Sequence, residues 1–132
     1  MRVAPVVTFA TLLASALACL AVPGCSDGVP RGFTDIAAAQ LQAMMADGQP
    51  LLIIDVRTAE EYAGGHIEGA ENLPLDQLAT WAPTLDPSAR ICVVCQGGTR
   101  SASAARQLVG RGFTDVYNLL GGVAGWPGEL VS

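Results

Sequence analysis

The run Leu51-Leu52-Ile53-Ile54-Asp55 constrains this chain more than any other stretch. Up to Asp55 it is apolar without interruption and of strand length, so both of its faces need cover, as in a strand buried inside a parallel sheet. A second run of this kind, Arg90-Ile91-Cys92-Val93-Val94, is rich in β-branched residues and reads as another buried strand. Helical patterns fall between and around these runs. Ala37 to Ala46 reads as a helix with Leu41, Met44 and Met45 toward the core and Gly48 ending it. Glu60 to Ala63 and Leu75 to Trp81 read as further helices, and Glu71 to Leu73 as extended. Ser101 to Val109 reads as a helix with Gly110 as its C-cap, and Phe33 to Ile36 and Val116 to Leu119 as short strands. The alternation predicts an α/β domain with a mainly parallel central sheet of about five short strands flanked by helices on both faces.

The connection after the second run carries chemistry. In Cys95-Gln96-Gly97-Gly98-Thr99-Arg100-Ser101 a cysteine stands where a strand ends and a glycine-containing turn enters a helix. Backbone N–H groups in a tight turn, with the unpaired ones at a helix start, point into the concavity and favour negative charge there. A thiol so placed ionises below the ~8.5 of a free cysteine, and the thiolate is the nucleophile. Gly97 and Gly98 are expected to let the backbone turn without a Cβ in the way. Arg100 adds a cation and Ser101 a hydroxyl. This reading needs the Cys95 sulfur both exposed and facing those amides.

Cys95-x-x-Gly98-x-Arg100-Ser101 resembles the active-site loop of the rhodanese sulfurtransferases. A second stretch, Asp55-Val56-Arg57-x-x-x-Glu61-Tyr62-x-x-Gly65-His66-Ile67-x-Gly69-Ala70-x-Asn72-Leu73-Pro74, is similar to another signature of that family. Gly121-Gly122-x-x-x-Trp126 resembles its C-terminal end. The resemblance implies a sulfurtransferase in which Cys95 accepts a sulfane sulfur, from a donor such as thiosulfate, and becomes a persulfide. It places Gln96 to Ser101 as the loop that binds the substrate, and Asp55, Arg57 and Glu61 as supporting charges. Gln96 stands where such loops often carry a basic residue, so a persulfide or polysulfide donor suits this loop as well as thiosulfate.

Several of these residues have structural readings beside the functional ones. Either Asp55 or Glu61 could pair with Arg100 and hold the loop, as an ordinary ion pair. Arg57 is open between packing and anion contact. His66 is expected to make a structural hydrogen bond, because a thiolate already stabilised by the loop needs no general base. Trp81 and Trp126 are read as core or rim packing.

With 132 residues the chain has room for one domain of about 100 residues, at the small end of common sizes. Seven arginines, no lysine and a net charge of −5 argue against a nucleic-acid partner or an acidic membrane surface. Residues 1–24 are set apart as a signal peptide: Arg2 precedes an uncharged stretch rich in Ala, Leu and Val. Its end, Val22-Pro23-Gly24-Cys25-Ser26, resembles a bacterial lipoprotein processing site, with Cys25 as the lipidated residue. Cleavage after Ala16-Leu17-Ala18, or an uncleaved transmembrane anchor, are the competing readings. Each places residues 33–132 outside the cytoplasm, in the periplasm or cell envelope, joined through a tether at 25–32. The expected partners are small sulfur-containing anions or thiols, with the membrane reached only through the lipid anchor. No cofactor is expected, and the oligomeric state is left open.

Cys92 and Cys95 are spaced C-x-x-C, which elsewhere signals zinc or a redox pair. Three residues of strand at ~3.3 Å each separate their Cα atoms by ~10 Å, beyond the ~7 Å reach of a disulfide. Cys92 is therefore read as a small buried strand residue. Zinc is disfavoured because His66 and a single cysteine pair leave the ligand set incomplete. Two other function classes stay open: a Cys-based phosphatase or arsenate reductase, and a non-catalytic sulfur carrier or binding module. The first uses C-x5-R spacing, whereas Cys95 and Arg100 enclose four residues. Finally, Arg31-Gly32-Phe33-Thr34-Asp35 recurs as Arg111-Gly112-Phe113-Thr114-Asp115, which is read as shared turn chemistry before two strands.

Overall fold

The computed structural model describes residues 32–132, so the expected leader, its expected processing site and Cys25 lie outside the described residues. Five strands form one sheet in the order β1-β6-β5-β2-β4, every neighbouring pair parallel. They are β1 (Thr34–Ile36), β2 (Leu52–Asp55), β4 (Glu71–Asn72), β5 (Ile91–Val94) and β6 (Val116–Leu119). The two continuous apolar runs are β2 and β5, side by side at the centre, where both faces are covered.

Each face has its own core. Ile54, Val93 and Cys95 pack with Leu78 and Trp81 of α3 (Leu78–Trp81) and with Ala104, Ala105 and Leu108 of α4 (Thr99–Gly110). On the opposite face Ile53, Cys92 and Val94 pack with Leu41 of α1 (Ala38–Ala46) and with Ile67, while Tyr62 of α2 (Ala59–Ala63) lies against them. Period-two alternation therefore sends Cys92 and Cys95 to opposite sides of the sheet. Both cysteines are free. Burial pushes the Cys92 thiol up to about 12, in keeping with an inert core residue.

Several boundaries differ from expectation. Met44 is partly buried, but Met45 is 40% exposed, because this short helix turns Ala38, Leu41 and Met44 inward and Met45 falls off that face. Leu75–Gln77 forms a 3-10 turn before α3, and Pro83 draws the chain into a second one at Ala82–Thr84. The final helix starts at Thr99, two residues early, and includes Gly110. Its stop is Gly112, at φ +94°, with Gly112 N–H donating to Val109 O at 3.1 Å and Phe113 N–H to Leu108 O at 3.1 Å. That is a Schellman ending, sealed by burial of Phe113 and Leu108 in one core. Gly32 lacks this left-handed conformation, and Thr34 and Asp35 lie in β1 whereas Thr114 and Asp115 precede β6. From Gly32 onward, the two copies of the pentapeptide therefore do not share a turn.

One element was not anticipated. A two-stranded antiparallel ribbon joins β3 (His66–Ile67) to β7 (Leu130–Val131), returning the chain's end to the segment after α2. Among the described residues no helix is long and apolar enough to cross a membrane.

Candidate active site

From β2 the chain moves outward to β4 and then returns to β5 on β2's other side, so the C-terminal ends of β2 and β5 flank a topological switch point. Asp55 ends one strand opposite Val94, and Cys95 follows directly. The sheet thus delivers the two motifs to one edge.

The Cys95 sulfur faces the amides. Gly98 N–H donates to Sγ at 3.0 Å, and Ser101 Oγ stands 3.3 Å away. Burial pushes the thiol up, but the Ser101 hydroxyl and the N–H groups of Ser101, Gly98 and Gly97 together outweigh it and hold the thiol below its ordinary value. The expected exposure is not found: Cys95 is only 1% exposed. Its carbonyl is capped by Val123 N–H at 2.8 Å, and that of Gln96 by Ala124 N–H at 3.0 Å. The Gly121-Gly122 turn therefore backs the loop with main chain and closes it from behind.

Only one of the two loop glycines is required sterically. Gly98 has φ +100°, and a Cβ there would lie 3.3 Å from Leu119 O. Gly97 has no left-handed torsion and open space where a Cβ would go, because the turn is made one residue later. Gln96, Gly97 and Thr99 are exposed, Arg100 is half-buried, and Ser101 is fully buried on the first turn of α4.

The charges divide into two separate pairs. Arg100 makes a two-pronged contact with Glu61 at 2.8 and 2.9 Å. Arg100, then the Thr58 backbone, hold the Glu61 carboxyl down at about 2. Asp55 does not reach Arg100; it is fully buried against Arg57, whose Nε and Nη2 contact it at 2.8 to 3.1 Å. Arg57 also donates to Gly65 O at 2.7 Å and to Gln96 Oε1 at 3.2 Å, so it ties β2, the turn after α2 and the cysteine loop together. Few of its N–H groups remain for an anion. Beside it opens a cleft of about 520 Å³ lined in part by Glu60, Gln96, Val123, Trp126 and Leu130. His66 stacks on Tyr62 and sets Nδ1 2.9 Å from Tyr62 O, a structural role. Trp81 is core, with Nε1–H donating to Pro74 O at 2.9 Å.

The model of the rhodanese-like domain matches residues 37–129. The chain belongs to the rhodanese-like domain family. Relatives within it include the thiosulfate sulfurtransferase GlpE of Pseudomonas entomophila, 40% identical over 74% of this chain and 91% of that one. GlpE of Pseudomonas fluorescens is 36% identical over 76% and 94%. Among solved structures, a rhodanese-like domain protein from Staphylococcus aureus superposes with a TM-score of 0.69 at 32% identity, covering 75% of this chain and 97% of that one.

Two contributors to this rhodanese-like site have no role in the sequence reading, where Asn72 is only a position of the second signature and Asn118 only lies within a short strand. Asn72 donates through Nδ2 to Asp55 O at 3.1 Å and Arg57 O at 2.9 Å, fixing the end of β2. Asn118, 2% exposed, accepts from Ser101 Oγ–H. Its sequence signal was present: a lone amide in the otherwise apolar or aromatic strand Val116-Tyr117-Asn118-Leu119.

Proposed function

We propose that the protein is a sulfurtransferase that moves a sulfane sulfur from a donor such as thiosulfate or a persulfide to a thiophilic acceptor through a Cys95 persulfide. The observation that carries this reading is a nucleophilic sulfur held by loop amides at a helix start, with its thiol lowered despite burial. Cys95 thiolate attacks the outer sulfur of thiosulfate, and the S–S bond breaks with its electrons on departing sulfite. The persulfide anion left behind is stabilised by the same amides, a contribution of ~3 kcal/mol per donor in comparable oxyanion sites. Cyanide or a thiol then takes the outer sulfur and regenerates the thiolate, which gives ping-pong kinetics.

Both arginines beside the loop are engaged by carboxylates, and Gln96 is neutral. Anion stabilisation then rests on the backbone, and a singly charged persulfide suits the site as well as thiosulfate. Because Cys95 is 1% exposed, donor entry requires the exposed loop residues Gln96 and Gly97 to give way. That burial also favours a second reading, a sulfur carrier loaded and unloaded only by a partner that opens the loop.

Cys95→Ser is expected to abolish thiocyanate formation from thiosulfate and cyanide while circular dichroism stays native; retained activity removes Cys95 from the mechanism. A donor panel read by mass spectrometry should add about 32 Da, one sulfur, to the Cys95 peptide. A persulfide that forms but resists free cyanide and small thiols selects the carrier. We further propose export with lipid anchoring at Cys25, checked by fatty-acid labelling that Cys25→Ala should eliminate.

A further inference from the structure

Ser101 has one hydroxyl proton and two neighbours that compete for it. Its Oγ lies 3.3 Å from Cys95 Sγ and 2.5 Å from Asn118 Oδ1. Asn118 in turn donates through Nδ2 to Asp35 Oδ1 at 2.9 Å, across the β1–β6 register where the two residues face each other. A carboxylate only accepts hydrogen bonds, so Asp35 fixes which end of the Asn118 amide points inward, and the inward end is the carbonyl. A buried carbonyl oxygen facing a hydroxyl competes for its proton. The Ser101 hydroxyl is then shared between Asn118 and the sulfur, with the shorter contact to Asn118, and holds a thiolate less firmly than an undivided hydrogen bond would.

We propose that Asp35 and Asn118 are positioning residues that draw the Ser101 hydroxyl proton toward Asn118 and so limit how far that hydroxyl stabilises the Cys95 thiolate. For the thiolate to hold that hydroxyl undivided, Ser101 must withdraw from Asn118 and leave a buried oxygen without its partner. Three of the four groups are buried: Cys95 at 1%, Ser101 at 0% and Asn118 at 2% exposed. The fourth, Asp35, is exposed on the edge strand β1, so the sulfur is linked to the surface by a hydrogen-bonded chain. The loop amides still favour the anion, and the chain opposes them, setting how much thiolate exists before a donor arrives. Other charged groups disposed around the sulfur are Arg100 from α4, Asp55 and Arg57 at the end of β2, and Glu61 of α2 through Arg100. None of them contacts Asn118 or changes in the variants below.

The test reads the pH dependence of Cys95 alkylation by iodoacetamide, followed on the Cys95 peptide of the full-length protein. In Asp35→Asn the new amide can donate to Asn118, which then rotates its own N–H toward Ser101 and releases that hydroxyl to the sulfur. The alkylation midpoint should fall by about one to two pH units, the scale of one hydrogen bond to an anion. Asn118→Asp should raise it. Loss of an exposed charge alone also lowers the midpoint, but only through solvent, so the measurement is made at 1 M salt, where screening acts within about 3 Å. Ser101→Ala supplies the discriminating background: there Asp35→Asn should have no effect at high salt. An unchanged or raised midpoint in Asp35→Asn, or a shift that survives in Ser101→Ala, overturns the proposal. The assay needs no sulfur donor, so its failure is separate from failure of the sulfurtransferase reading on which the site's purpose rests.

Discussion

At Gly122 a single methyl group would meet the carbonyl oxygen of Cys95 at 2.2 Å and that of Gln96 at 2.6 Å, on a backbone already at φ +56°. Main chain cannot step aside as a flexible side chain can, so Gly122→Ala must push the cysteine loop off its backing. The expected cost is about 2–4 kcal/mol, seen as a fall in the thermal midpoint, with sulfur loading of Cys95 lost before the fold. Gly97→Ala, where nothing stands within 4 Å, should stay within about 0.5 kcal/mol of the parent. Glu61 makes a different prediction. Its folded value of about 2 lies below its ordinary 4.5, so its ion pair contributes fully above 4.5 and is lost as pH falls toward 2. The pair is about a third exposed, which keeps the effect small. Denaturant midpoints of parent and Glu61→Gln should differ at pH 6 and draw together as pH falls from 4.5 toward 2; a constant gap across that range would remove Arg100 as the cause.

At the scale of elements, the ends of the helices hold the site in place. Glu61 also closes a capping box, with Thr58 N–H donating to Glu61 Oε2 at 2.9 Å and Glu61 N–H to Thr58 Oγ1 at 3.3 Å. One carboxylate therefore starts α2 and grips the arginine of α4. The sequence alone starts this helix at Glu60, without the Thr58-x-x-Glu61 box, and offers Asp55 and Glu61 alike as partners for Arg100; the fold chose Glu61. The Gly112 ending of α4 is the matching case at a C-terminus. Gly112→Ala forces an L side chain into the left-handed region and is expected to cost about 1–2 kcal/mol, measured by urea unfolding. Gly110→Ala, inside the helix and with open space at its Cβ position, should be neutral or stabilising. If instead Gly110 proves the sensitive position, the helix ends where the sequence alone suggested.

Of the two cysteines among the described residues, the whole fold sets Cys95 in the loop and shelters Cys92 in the core. Cys92, 0% exposed and pushed up to about 12, sits in the core opposite the site, and only global opening can reveal it. Its alkylation in increasing denaturant should track the loss of secondary structure, whereas Cys95 should react at lower denaturant, once its loop moves. Coincident labelling of both would show that the loop has no freedom of its own.

The sequence by itself determined the parallel α/β domain, because strand-length apolar runs alternate with helical patterns, and the cysteine turn, because its chemistry is local. It also separated Cys92 from Cys95, since strand rise and alternation are fixed by covalent geometry. Only the tertiary structure decided which acid meets which arginine, how deeply the sulfur lies, and that Asn118 and Gly122 belong to its surroundings. Those facts depend on strand order and on contacts between distant segments, and a register of side chains along one chain holds no record of what another segment will bring beside it.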